Sequence, residues 1–146
     1  MSHLSMIREW IATFPDYDIL ASFQVDYTDQ IPSNGGIFPA GHDEISRTTD
    51  ILGNTTVVNQ ENFGIYVVFD KTPGDNVAAA DNQEWIAEFQ EWVQEQSVKG
   101  EAPVFGDVPY RERIIASNGA LYAATDEGLG TYMVQLSVRY VRRYDN

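Results

Sequence analysis

The chain carries two histidines, His3 and His42. A general base or an activated nucleophile would have to be organised around one of them, with a partner in reach. His3 lies beside the N-terminus, and His42 stands in a glycine-flanked stretch followed by Asp43 and Glu44. His42-Asp43-Glu44 offers metal-ligating side chains, but three adjacent residues diverge and lack the recurring spacing of a ligand set. No metal is expected there. Four carboxylates recur at Glu84, Glu88, Glu91 and Glu95, and on a helix they fall within one narrow strip. An exposed strip has no apolar pocket to raise a carboxyl pKa, so acid–base catalysis ranks last among its uses. Gly128-Leu-Gly130 lacks the lysine and helix N-terminus of a phosphate loop, and Asn54-Thr-Thr56 matches a glycosylation acceptor without a secretion signal. Cysteine is absent, which removes disulfides, thiolate nucleophiles and cysteine-ligated metals. The expectation is a chain with no catalytic residue, no cofactor and no metal, which works by contact.

The elements that position these residues follow from periodicity. Leu4, Ile7, Ile11 and Phe14 recur at helical spacing with Trp10 beside them, and Pro15 marks the stop. This predicts a short amphipathic helix capped by Ser2 or Ser5. Phe23, Val25 and Tyr27 alternate with Ser22, Gln24 and Asp26, which predicts a strand over residues 19–28. Residues 30–41 are dense in glycine and proline and read as a loop, yet they carry Ile37 and Phe38, apolar residues that a loop keeps for docking. Residues 44–51 and 55–70 pair across Gly53-Asn54, with Phe63, Ile65, Val67 and Phe69 inward and a bulge or bend over 59–62.

From Asp81 the period becomes 3.6. Asp81 and Glu84 have the spacing of a capping box, Trp85, Ile86, Phe89, Trp92 and Val93 form a core stripe, and Lys99-Gly100 suits a helix end. Trp10, Trp85 and Trp92 are read as core rather than as ligand platforms. Arg113 to Tyr144 reads as two strands around a glycine-rich turn, with Tyr132, Val134, Leu136, Val138 and Tyr140 on one face of the second. Its other face carries Thr131, Met133, Gln135, Ser137 and Arg139. The linker-like stretches, 72–80 and 101–110, are too short to divide domains. The fold class is α+β: residues 1–146 form a single domain with a mainly antiparallel sheet of four to five strands and two amphipathic helices on one face.

At 146 residues with 43% hydrophobic content, the chain can bury its own core. Neither a signal peptide nor a membrane-spanning run is legible, so it reads as soluble and unsecreted. Twenty-two acidic against nine basic residues give a net charge of −13, which argues against a groove that grips phosphate. Arg111 and Arg113 enter the last hairpin while Arg139, Arg142 and Arg143 close it, a basic end on an acidic body. Like charges at helical spacing cost about 0.2 to 0.5 kcal/mol per pair, so the four-glutamate strip gives up about 1 kcal/mol. Solubility, a face for a neighbouring copy's arginines, and a negatively lined passage all account for it. Tyr140 and Tyr144 beside Arg142 and Arg143 have the composition of an interface hot spot, and equally of an ordinary strand end.

Several segments, in this order, resemble one family. They are Ile7-Arg-Glu-Trp-Ile-Ala-Thr-Phe-Pro15, Val25-Asp-Tyr27, Glu84-Trp-Ile-Ala-Glu-Phe-Gln-Glu-Trp-Val93, Lys99-Gly100, Gly119-Ala-Leu-Tyr122 and Tyr132-Met-Val-Gln-Leu136. The chain resembles the short tail-terminator or "minor capsid" proteins of long-tailed bacteriophages and prophages of Gram-positive bacteria, loosely and over almost its whole length. The resemblance rests on order and spacing rather than on an active-site motif. It implies a homo-oligomeric ring, usually hexameric, in the head–tail neck of a virion assembled in the bacterial host cytoplasm. Such a ring caps the tail-tube protein, ends its polymerisation, meets the head-completion protein and passes DNA through its lumen without specific binding. No membrane is involved. On this reading Ile37, Phe38, Arg139, Arg142, Arg143 and Tyr144 are candidate contacts, and Glu84, Glu88, Glu91 and Glu95 an acidic lumen or partner face. Alternatives are another neck component, such as a head–tail connector or tail-tube-like subunit, or a small ligand-binding module or enzyme using a pocket between helices and sheet.

Overall fold

The period-two rows of the sequence become the covered face of one sheet. The computed structural model describes residues 2–17, 22–25, 34–70, 76–108, 112–124 and 129–146. Its elements are helix α1 (His3–Ile11), strands β1 (Ser22–Val25), β2 (Asn34–Thr49) and β3 (Thr55–Asp70), helix α2 (Asn76–Val98), and strands β4 (Arg113–Ala124) and β5 (Leu129–Tyr144). The sheet order is β1-β2-β3-β5-β4. Four strands are antiparallel, and β1 extends the sheet in parallel with β2. The domain is α+β, as its element pattern predicts.

Strands β3 and β5 run in unbroken register from Thr55 opposite Tyr144 to Asp70 opposite Leu129. The irregularity predicted at 59–62 belongs instead to the facing strand. β2 shifts register between Pro39 and His42 and again between Glu44 and Ser46, with Gly41 at φ 113° in the first shift. A bulge places two residues opposite one and increases local twist, so β2 bends while β3 stays continuous. β4 is bulged likewise between Ser117 and Ala120 and between Leu121 and Ala123.

Residues 34–41 are strand rather than loop, which corrects the reading from glycine and proline content. Gly35, Gly36 and Ile37 pair with β1 on one side and β3 on the other. Ile37 is 0% exposed and belongs to the core, so it is no surface contact; its neighbour Phe38 projects to the opposite side, half-buried. Residues 30–33 of the expected loop, 72–75 and 109–110 of the linkers, Arg111 and the turn at 125–128 lie outside the described residues.

Both helices pack on one face. Phe63, Ile65, Val67 and Phe69 of β3 and Tyr132, Val134, Leu136, Val138 and Tyr140 of β5 form one buried cluster with Ile7, Trp10 and Ile11 of α1 and Trp85, Ile86, Phe89 and Val93 of α2. Each such side chain contributes about 1.5 to 3 kcal/mol of transfer free energy. Between the helices, Trp10 stacks on Trp92 at 4.6 Å, and the Phe14 ring meets Trp85 and Phe89 edge-on. Ser2 caps α1 by accepting from Ser5 N at 3.1 Å. α2 begins five residues before the predicted start, which leaves Asp81 inside it rather than at a cap. Its end is as predicted: Gly100 adopts φ 71°, Gly100 N bonds Ser97 O, and Glu101 N bonds Gln96 O, closing a Schellman motif.

Candidate functional site

With both helices on one side, the other face of the sheet stands open. β3 and β5 present Gln60, Asn62, Gly64 and Tyr66 beside Met133, Gln135, Ser137 and Arg139. These side chains bond to one another along the strands. Gln60 donates to Asn62 Oδ1 at 2.8 Å, Ser137 donates to the same oxygen at 2.9 Å, and Asn118 donates to Gln135 at 2.9 Å. The Tyr66 ring lies over Gly64, where an added Cβ would come within 3.1 Å of it. Tyr66 also meets Phe38 at 5.0 Å and Tyr122 at 5.5 Å, both edge-on. The result is a stiff surface of amides, hydroxyls and aromatic rings, indented by a recess of about 310 Å³ around Gly64, Met133 and Gln135.

The predicted arginines separate according to strand parity. Arg139, on the open face, donates to Gln60 Oε1 at 2.8 Å. Arg142 lies on the covered side, over the Tyr140 ring at 5.8 Å and 3.2 Å from Asp107 Oδ1. Asp107 is further held by the Arg143 backbone N–H at 3.0 Å, and that bond above all keeps its carboxyl below the usual aspartate range, with the Arg142 charge adding to it. Arg143 and Tyr144 are exposed at the end of β5. Among the described residues, neither Arg139 nor Arg143 has a carboxylate partner within ion-pair distance.

Glu84, Glu88, Glu91 and Glu95 all face solvent along α2. Lys99 pairs with Glu95 at its C-terminal end. At its centre Glu88 shares a hydrogen bond with Asp16, which raises the Glu88 carboxyl above its ordinary value, and the charges of Glu84 and Glu91 push the same way.

Sequence reasoning missed a cluster that unites both histidines. His3 Nδ1 contacts Glu61 Oε1, Tyr140 donates its hydroxyl to that same oxygen at 3.1 Å, and His42 Nε2 lies 3.1 Å from the Tyr140 oxygen. His3 stacks flat on Phe105 at 4.1 Å. The four polar residues come from α1, β2, β3 and β5, so no local spacing could reveal them. The alternation did place Tyr140 inward, the one available signal. Burial first, and then the Glu61 charge, push the Tyr140 phenol up to about 12. A carboxylate already accepting from two donors is a fastening point rather than a free base. No set of three or more His, Asp or Glu side chains among the described residues is placed to hold a metal ion.

Beyond the helices the hairpin face forms an open recess of about 600 Å³ bordered by His42, Glu44, Arg47, Asn59 and Tyr144. Among the described residues no helix is long and apolar enough to cross a membrane. Comparison of the chain with protein-family models and with curated proteins gives no match.

Proposed function

We propose that this chain is a structural assembly protein of a phage neck, a tail-terminator-like subunit that forms a ring on the tail tube and receives the head-completion protein. The observation that supports this reading is the opposition of two surfaces. The open sheet face carries Arg139 and Arg143, which have no carboxylate partner among the described residues, while α2 on the other side carries the exposed glutamate strip. Complementary charge on opposite sides of one subunit favours a front-to-back contact between copies. Such a heterologous contact closes into a ring when its rotation divides the circle. The net charge of −13 is compatible with DNA passing without adhering.

Electron microscopy of particles made without this protein tests the role. Tails of uncontrolled length, detached from full heads, are expected; normal joined tails overturn it. Arg139→Glu with Arg143→Glu tests the contact, because Arg142 is already engaged by Asp107. Self-association followed by light scattering should weaken in that double variant, and unchanged assembly would remove the arginines from the interface. A ligand-binding module remains a second reading through the recess at His42 and Tyr144, which a titration with small anionic and cationic metabolites would test.

A further inference from the structure

A sheet edge offers unpaired backbone N–H and C=O groups to any strand that arrives, and folds blunt such an edge by shortening, bulging or charging its strand. The edges of this sheet can be compared among the described residues. β1 is four residues long. The part of β2 that β1 leaves uncovered, residues 38–49, carries Pro39, two register shifts and the charged Asp43, Glu44 and Arg47. β4 is different. It is twelve residues long and ends the sheet. Its register shifts begin only at Ser117, so Arg113-Ile-Ile-Ala-Ser117 is regularly paired on its inner side and carries a single charge, at its start.

Helix α2 stands against that edge. Gln83 Nε2 donates to Gly119 O at 3.1 Å, Gln90 Nε2 donates to Ala116 O at 3.3 Å, and Ser97 Oγ accepts from Ile114 N at 3.2 Å. The three helical residues are seven apart each time, two turns, and so lie on one line along α2. β4 runs past that line in the opposite direction. In an antiparallel ladder alternate residues turn both backbone groups away from the partner strand, so the bonds at Ile114 and Ala116 mark the side of β4 that another strand would use. Gly119 lets the helix come this close, since a Cβ there would lie 2.4 Å from Gln90 Oε1 and 2.5 Å from Ile86 Cγ2. Between Gln90 and Ser97 the side chains reach across a recess of about 370 Å³, bordered also by Gln94.

We infer that α2 is an edge guard: its Gln83, Gln90 and Ser97 occupy the β4 backbone groups through which the β4 of a second copy would add to the sheet. Antiparallel pairing of one β4 with another is self-complementary, as a two-fold contact between identical chains requires. The guard closes that route and keeps β4 out of any contact between copies. It stands whether or not the ring proposed above forms.

Gln83→Ala, Gln90→Ala and Ser97→Ala together remove the guarding side chains and leave the buried stripe of α2 intact. Hydrogen exchange at the Ile114 and Ala116 amides, read at low and high protein concentration, tests the result. In the parent both amides exchange at a rate independent of concentration. In the dilute triple variant the Ile114 amide, deprived of Ser97, exchanges about tenfold faster. At high concentration protection returns at both amides as dimers appear in sedimentation. Adding Ile115→Lys, on the open face of the edge strand, then reverses the dimer, because an edge lysine opposes pairing. Gln90→Ala with Ser97→Ala, which keeps Gln83, carries the same measurement if the triple variant does not fold. Outward amides that gain no protection with concentration in these variants overturn the guard, and so does a parent in which concentration protects them.

Discussion

Tyr140 donates its hydroxyl to Glu61 Oε1 at 3.1 Å, and that carboxylate oxygen also meets His3 Nδ1. One atom of β3 thus joins the first turn of α1 to β5. With its proton given to Glu61, the Tyr140 oxygen accepts from His42 Nε2 at 3.1 Å, which brings in β2. Tyr140→Phe keeps the ring against Phe105 and removes both hydroxyl bonds. Two hydrogen bonds, one to a charged group, predict a loss of about 1 to 3 kcal/mol in urea unfolding. An unchanged midpoint would reduce the cluster to incidental contact.

The same tyrosine sets a pH limit. Its folded-state pKa is pushed up to about 12, against about 10 in an unfolded chain, so folding favours the neutral phenol. That contribution is fully present below about pH 10 and is lost as pH rises through about 12. Urea midpoints measured between neutral pH and about 12 should fall more steeply for the parent than for Tyr140→Phe, since the other tyrosines titrate in both. Parallel curves would show that the phenol ionises as easily folded as unfolded.

Much of this architecture is legible because burial follows period. The row Tyr132 to Tyr140 alternates without a break and is buried as the alternation requires; Phe63, Ile65, Val67 and Phe69 are buried likewise, although Val68 on the opposite parity of β3 is buried too. The first half of β2 is not legible, because Gly35, Gly36 and Pro39 are turn formers by composition. Their strand conformation is imposed by β1 and β3 on either side, a tertiary constraint that overrides local preference. The bend expected in β3 at Asn59–Asn62 is a polar stretch in an unbroken strand; its polarity serves the open-face amides and the Glu61 cluster instead. Of the candidate contacts, Phe38, Arg139, Arg142, Arg143 and Tyr144 reach the surface in whole or part, with Arg142 turned toward Asp107, whereas Ile37 does not. Two neighbouring apolar residues on a strand face opposite ways, so reading both as one exposed loop had to fail for one of them.

Gly106 lies where the 101–108 segment crosses β5. A Cβ there would come within 2.4 Å of Val141 O and 2.9 Å of Val141 N, and neither backbone atom can move aside without disturbing the sheet. The nearby Asp107 N to Val141 O bond of 2.8 Å would be strained as well. Gly106→Ala is expected to destabilise by about 1 to 3 kcal/mol. Gly119→Ala brings its Cβ against the Gln90 side-chain end at 2.4 Å and Ile86 Cγ2 at 2.5 Å; the glutamine can swing but the isoleucine is fully buried. Both variants should lower the thermal midpoint, Gly106→Ala more, and the reverse order would mean that the loop rather than the helix yields more easily.

Glu88 and Asp16 bring two carboxyl groups into hydrogen-bond contact, which raises the Glu88 pKa. A carboxyl with a raised folded-state pKa favours folding when protonated, so this contribution is fully present below about pH 4 and is lost as pH rises through the folded value. Glu88→Gln keeps a donor for Asp16 and removes one charge from a strip shared with Glu84 and Glu91. The variant is therefore expected to be more stable than the parent at neutral pH, with the difference shrinking in acid, as read from urea midpoints. Its effect on assembly should run the other way if the strip receives arginines from a neighbouring copy, because stability and binding then make opposite demands on one residue. A variant that gains stability and assembles as well as the parent would assign Glu88 to solvent or to a lumen rather than to a contact.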